Sequence, residues 1–210
     1  MSVLNPAVLV DSRHSVNVRR KTDALDARLL ARYAQERRPR LWKPLPPEMQ
    51  TLRFLLARRE DVQPMLQQER NRLHAGRMDE WRRTRVQQHG SQLEKELRAL
   101  WKRTMDHLKA HASLKSQWRP LQTIQGIGPI GAACILAEVG EIERFDDPRA
   151  LVSLAGLAVT RHDSGTSVHG KPKIDRHGRM GLRRILYLCA VSAIRWDAHT
   201  AAYRLWRLET

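Results

Sequence analysis

Apolar residues along this chain repeat at helical spacing almost throughout. From Thr22 the segment TDALDARLLARYAQERR sets Leu25, Leu29, Leu30 and Tyr33 on one stripe, with Thr22 placed to cap the first turn. The stripe stops at Pro39, Pro44, Pro46 and Pro47. Proline donates no backbone hydrogen bond and disfavours helix in the residue before it, so this region reads as an extended connector. Residues 48–80 read as a long helix carrying Leu52, Leu55, Leu56, Val62, Met65, Leu66 and Leu73. A second long helix over 86–112 repeats Leu93, Leu97, Leu100, Thr104 and Leu108 at spacings of four and three. Two such helices with polar sequence between them predict an antiparallel hairpin or a coiled-coil arm. The one strand-like run is AVLV at 7–10, followed by a polar turn from Asp11 to His14.

After Pro120 the pattern changes to denser apolar blocks with more glycine. Residues 119–210 read as a compact helical domain with one basic, glycine-rich insertion, VTRHDSGTSVHGKPKIDRHGRMG, between helices at about 148–156 and 180–199. The fold class expected is therefore mainly α, in three parts: 1–45, the arm over 46–118, and 119–210. Within the last part, TIQGIGPIGAACILAEVG (123–140) has the pattern of a helix-hairpin-helix element. In such an element a glycine turn, here Gly126 and Gly128, offers backbone N–H groups at a helix start to a DNA phosphate, with Pro129 suited to the first helical turn. An ordinary tight turn between two helices has the same pattern.

Charge sharpens the choice of partner. Of 210 residues, 38 are Lys or Arg and 22 Asp or Glu, a formal net charge of +16. That excess favours a polyanion, most often nucleic acid, and says nothing of which. Cys134 and Cys189 both lie in apolar helical patterns and read as buried thiols, without the clustered ligands a zinc site needs. No basic-then-apolar leader opens the sequence and no run approaches 18 apolar residues, so a cytoplasmic protein that does not span a membrane is expected.

Three sets of residues carry candidate chemistry. Asp23 and Asp26, three apart, face one side of a helix and are able to share a divalent metal; surface acids in a first helical turn show the same spacing. In SGTSVHGKPK, Ser164 and Ser167 stand beside Arg161, His162, His169, Lys171 and Lys173. A serine attacking a phosphodiester needs its proton removed and the developing charge neutralised, and this loop holds both kinds of side chain. A basic loop that only touches phosphate would read alike. Arg176, Arg179, Arg183 and Arg184, with Arg19, Arg20 and Lys21, form basic faces suited to phosphate contact.

Taken together, RRKTDALDARLLARYA at 19–34, the long helical middle, LQTIQGIGPIGAACILAEVGEIERFDDPRALVSLAGLAV at 121–159 and SGTSVHGKPKIDRHGRMGLRRILYLCAVSAIR at 164–195 resemble the DEDD insertion-sequence transposases. These are relatives of the Piv and MooV invertases and include RNA-guided bridge recombinases. The resemblance covers nearly the whole chain. It implies a ribonuclease-H-like domain holding Mg²⁺ on four acids, a coiled-coil arm that drives assembly of copies, and a C-terminal domain whose serine joins covalently to DNA. The third and fourth acids fall in a K-T-D-x-x-D-A motif, here Lys21, Thr22, Asp23, Asp26 and Ala27, and the serine in the S-G stretch falls on Ser164, with Ser167 as the alternative. DNA, a homo-oligomeric partner and in some members a guide RNA are implied as partners.

Only 22 residues precede Asp23, whereas the resemblance implies central strands with an Asp and then a Glu ahead of the motif. Residues 1–45 are thus expected to be a remnant of the ribonuclease-H-like domain, in an N-terminally truncated and catalytically deficient chain. The rival expectation is a non-catalytic nucleic-acid-binding protein with a helical oligomerisation arm.

Overall fold

A computed structural model describes residues 2–4, 22–39, 41–76, 78–142, 145–160, 163–164, 168–169, 173–174 and 178–209. It divides into two compact units, Met1–Leu45 and Pro46–Thr210, and the described residues are mainly helical.

In the first unit, helix α1 (Asp23–Arg37) begins where Thr22 takes an extended conformation and its hydroxyl accepts a hydrogen bond from the Leu25 N–H at 3.3 Å. It ends where Arg38 turns left-handed, φ 44°, its N–H bonded to the Ala34 carbonyl at 3.1 Å. Leu29 is buried while Leu30 is exposed, so the apolar stripe is narrower than its spacing suggests. The Ser2 hydroxyl donates to the Pro39 carbonyl at 3.2 Å. The strand expected at 7–10, the turn at 11–14 and the basic run Arg19, Arg20 and Lys21 lie outside the described residues.

In the second unit α2 (Pro47–His74) and α3 (Glu80–Ala110) pair antiparallel. The first helix ends six residues earlier than its pattern suggests. Gly76, at φ +116°, reverses the chain, and the Asp79 carboxylate accepts from the Arg82 N–H at 2.8 Å to start the next helix. Val62, Leu66 and Leu93, flanked by Leu97 and Leu100, form the seam between the two. Ion pairs Arg58–Glu96 and Arg70–Glu94, each 2.9 Å, lie on its wet edges. Being exposed they contribute at most about 1 kcal/mol each, so the apolar seam holds the pair.

Helix α4 (Ala112–Leu121) leads through a glycine turn to α5 (Pro129–Val139). Seven of the eleven residues of α5 are buried, because α2, α4 and α7 (Met180–Trp196) pack around it. The Trp118 indole N–H bonds the Pro129 carbonyl at 3.0 Å and ties α4 to its start. Ile135, Val139, Ala155 and Leu182 form the core beneath, joined by Leu151 and Leu154 of the short α6 (Pro148–Leu154). The sequence pattern predicts a single helix over 180–199. Instead Asp197 takes an extended conformation and its carboxylate accepts from the Thr200 N–H at 2.8 Å and hydroxyl at 2.5 Å, which starts α8 (Ala198–Glu209). Among the described residues no helix is long and apolar enough to cross a membrane.

Within the basic insertion the described residues form two antiparallel strand pairs. β1 (Val159–Thr160) pairs with β4 (Lys173–Ile174), and farther out β2 (Asp163–Ser164) pairs with β3 (Val168–His169).

Candidate functional site

The hairpin is built from its feet. Gly156 has φ +65°, and a Cβ on Gly178 would lie 2.0 Å from the Gly156 nitrogen and 2.6 Å from the Leu154 carbonyl oxygen. Only glycine permits that crossing of two backbones. The Arg179 N–H then bonds the Leu154 carbonyl at 2.7 Å. The Arg179 guanidinium donates to the Glu138 carbonyl and meets the Glu138 carboxylate at 3.4 Å, fastening one foot to α5. Arg183 donates to the carbonyls of Ala155 at 3.3 Å and Gly156 at 3.2 Å, fastening the other.

On this base Ser164 occupies the last paired position of the hairpin, opposite Val168, immediately before the Gly165–Thr166–Ser167 connection. Lys173 lies exposed on β4. Ser167, Arg161, Lys171 and Arg176 lie outside the described residues.

The basic face expected on Arg179, Arg183 and Arg184 has protein partners in the structure. Arg184 pairs with Glu60 of α2, so it joins the arm to α7. Together with Arg53, whose Nε–H donates to the Ala137 carbonyl at 2.7 Å, these arginines tie α2, α5 and α7 together. Sequence reasoning missed Glu138 and Glu60 as their partners. For Glu138 a signal existed: it is the one acid in the apolar run from Ile130 to Val139. For Glu60, one of four acids spread along α2, there was none.

The two glycines of the turn divide in role. Gly126 has φ +86°, and a Cβ there would meet the Cys189 carbonyl oxygen at 2.5 Å and Ala193 at 2.7 Å, so it is the point where the turn lies against α7. Gly128 is exposed, caps α5 without a side chain and has open space where a Cβ would go. Of the pair, Gly128 is the one whose neighbourhood a phosphate can enter. Cys134 is buried and Cys189 half-buried, both free thiols. Burial pushes the Cys134 thiol up to about 11, so it stays protonated at neutral pH.

Asp23 and Asp26 fall in the first turn of α1, Asp23 exposed and Asp26 half-buried. They are two carboxylates on one face, next to the positive end of the helix dipole. No group of three or more His, Cys, Asp or Glu able to hold a metal occurs among the described residues. Magnesium needs near-octahedral oxygen coordination, so the pair fits part of such a site and does not by itself form one.

Two family models match the chain in order. One, described as Transposase, of the IS110 DEDD type, matches residues 1–80, and the other, Transposase IS116/IS110/IS902 family, matches residues 119–204. The chain belongs to the IS110 family of DEDD transposases. It is similar to the pilin gene-inverting proteins of Moraxella bovis and Moraxella lacunata, each 31% identical over 195 residues, 91% of this chain and 59% of the relative. It is 36% identical over 83 residues to an insertion element IS110 uncharacterized 43.6 kDa protein of Streptomyces coelicolor, covering 40% of this chain and 20% of that protein. The IS110-family chain thus spans about 59% of the length of the two inverting proteins it matches. The IS116/IS110/IS902 match contains the glycine turn, the hairpin and α7, and the DEDD-type match contains Asp23 and Asp26.

Proposed function

We propose that this chain acts on DNA in transposition or site-specific recombination, with the hairpin presenting Ser164 to a scissile phosphodiester. The observation that carries the reading is the place of Ser164 at the end of a clamped, basic hairpin within the IS116/IS110/IS902 match. The Ser164 hydroxyl attacks phosphorus, the bond to the 3′ oxygen breaks, and the products are a 3′ hydroxyl and a 5′-phosphoseryl ester. Attack by a 3′ hydroxyl of another strand on that ester rejoins the DNA and frees the serine. Cations at Arg161, Lys171, Lys173 and Arg176 neutralise the charge that builds on the phosphoryl oxygens. Arg179 and Arg183 position the hairpin from its feet. Gly128 and the start of α5 take up a neighbouring backbone phosphate in the manner of a helix-hairpin-helix element.

Asp23 and Asp26 contribute to a divalent site, as the DEDD family suggests. Magnesium, when bound, would draw charge from the phosphate oxygens. The arm, in this reading, joins copies of the chain as a coiled coil, and a guide RNA is a further candidate partner.

A second reading is non-catalytic DNA binding, in which the hairpin and the exposed glycine at the start of α5 hold backbone phosphate without cutting it. The deciding experiment mixes the chain with labelled DNA from its element's ends and Mg²⁺, then separates under denaturing conditions. A shifted band that disappears in Ser164→Ala and persists in Ser167→Ala supports the enzyme. No band, with native DNA binding retained, supports the binding protein; a band lost in Ser167→Ala and kept in Ser164→Ala moves the nucleophile.

A further inference from the structure

We propose that the arm carries a second nucleic-acid site, specific for an unpaired strand, in a cavity between α2, α3 and the start of α5. The cavity measures about 310 Å³ and its wall includes Arg59, Arg70, Arg98, Gln63, Gln67 and Trp101. Among the described residues no carboxylate lines it. Arg70 is held by Glu94 at 2.9 Å. Arg59 and Arg98 make no ion pair among the described residues. Arginines lining one concave surface that no carboxylate lines attract an anion, and the planar donors of a guanidinium suit phosphate.

The aromatic wall decides which nucleic acid. Trp101 is half-buried within the concavity, where an indole meets a base only if that base has left its stack. In a duplex the bases are stacked inside and the outer surface offers phosphate and groove edges. A single strand offers its base faces freely, and stacking on an aromatic side chain tolerates any base. The volume lies at the lower end of small-ligand pockets, about 300 Å³, which suits one nucleotide unit and excludes a folded partner. Gln63 and Gln67 add amides for base edges; Gln67 donates to Asn71 at 2.9 Å, and its carbonyl remains an acceptor. The site rests on the nucleic-acid reading above but uses neither the serine nor the carboxylates.

The test uses the whole chain and four labelled probes: a ten-nucleotide deoxythymidine strand, the matching uridine strand, a duplex of equal length and a mononucleotide. The expected result for Arg59→Gln with Arg98→Gln is about tenfold weaker binding of both single strands. The slope of log affinity against log salt should become shallower by about 1.4, two phosphates at roughly 0.7 each. Duplex binding should change by less than about twofold, because it depends on the hairpin. Trp101→Phe should bind nearly as the parent and Trp101→Ala about fivefold or more weakly, in line with the loss of one stacked base. If Trp101→Ala melts early, the arginine pair alone decides.

Unchanged single-strand affinity and slope would overturn the site. So would an equal loss on single strand and duplex, which would mean general charge, and so would a mononucleotide bound as tightly as the strands, which would mean a free-nucleotide pocket. Absence of a Ser164 adduct would end the strand-exchange reading and leave these binding measurements intact.

Discussion

Glu69 shows how one buried side chain sets a condition on the arm. It is 5% exposed, and its Oε1 lies 2.7 Å from Arg72 Nη1 and 2.9 Å from His89 Nδ1, while Oε2 is buried without a partner. Burial pushes its carboxyl up, but the hydrogen bonds and the positive charges of His89 and Arg72 together outweigh it and hold the group below its usual 4.5. A carboxyl depressed on folding adds stability above its unfolded value, and that stability is lost as pH falls through the folded value. Melting temperature should therefore fall more steeply from pH 5 to 3 in the parent than in Glu69→Gln, which keeps the shape and does not titrate. Parallel curves would show that Glu69 is not the group responsible. At this scale the legible residues were those acting on near neighbours: Thr22 caps its own helix as its place in the sequence suggests. Glu69 was illegible because its burial comes from α3, twenty residues on.

Elements were legible in proportion to their length. The arm was readable because its leucines repeat over many turns, and chance rarely sustains such a pattern. Errors fell at its ends, where Gly76 and the Asp79 cap outweigh periodicity. The hairpin was not readable at all. Its strands are two residues each, too short for alternation to register, and what defines it is the crossing of Gly156 and Gly178, twenty-two residues apart. That crossing gives the sharpest prediction for an element. Gly178→Ala forces a methyl onto backbone atoms that cannot rotate away, and should cost about 1–3 kcal/mol, the range for overpacking. It should also release the hydrogen bond from the Arg179 N–H to the Leu154 carbonyl, so that amide should exchange with deuterium faster. A variant with unchanged melting and unchanged exchange at Arg179 would show that the feet are not clamped there. Gly128→Ala, where a Cβ meets only open space, is the control.

On the proposed DNA-binding reading, the question for the whole molecule is how much of the +16 faces DNA. Net charge overstates it, because a guanidinium already paired to a carboxylate has shed its counterion and releases little more on binding. Arg58, Arg70, Arg72 and Arg184 each have a carboxylate partner within the second unit, and Arg183 spends its donors on carbonyls. Sequence alone counts these arginines with the rest, since only the folded chain brings Glu60 to Arg184 across 124 positions. Duplex affinity should therefore answer to the hairpin cations and not to the paired arginines. Replacing Arg161 and Lys171 together by Gln should make the log affinity against log salt slope shallower by about 1.8, at roughly 0.9 for each phosphate that is no longer neutralised. Arg184→Gln should leave the slope within about 0.5, less than one phosphate's share, and act instead on the junction of α2 with α7, lowering the melting temperature. If Arg184→Gln shifts the slope as far as a hairpin lysine does, the Glu60 pair opens on DNA and α7 joins the binding face. If the double variant shifts nothing, duplex DNA is held elsewhere and the hairpin's positive charge serves the reacting phosphate alone.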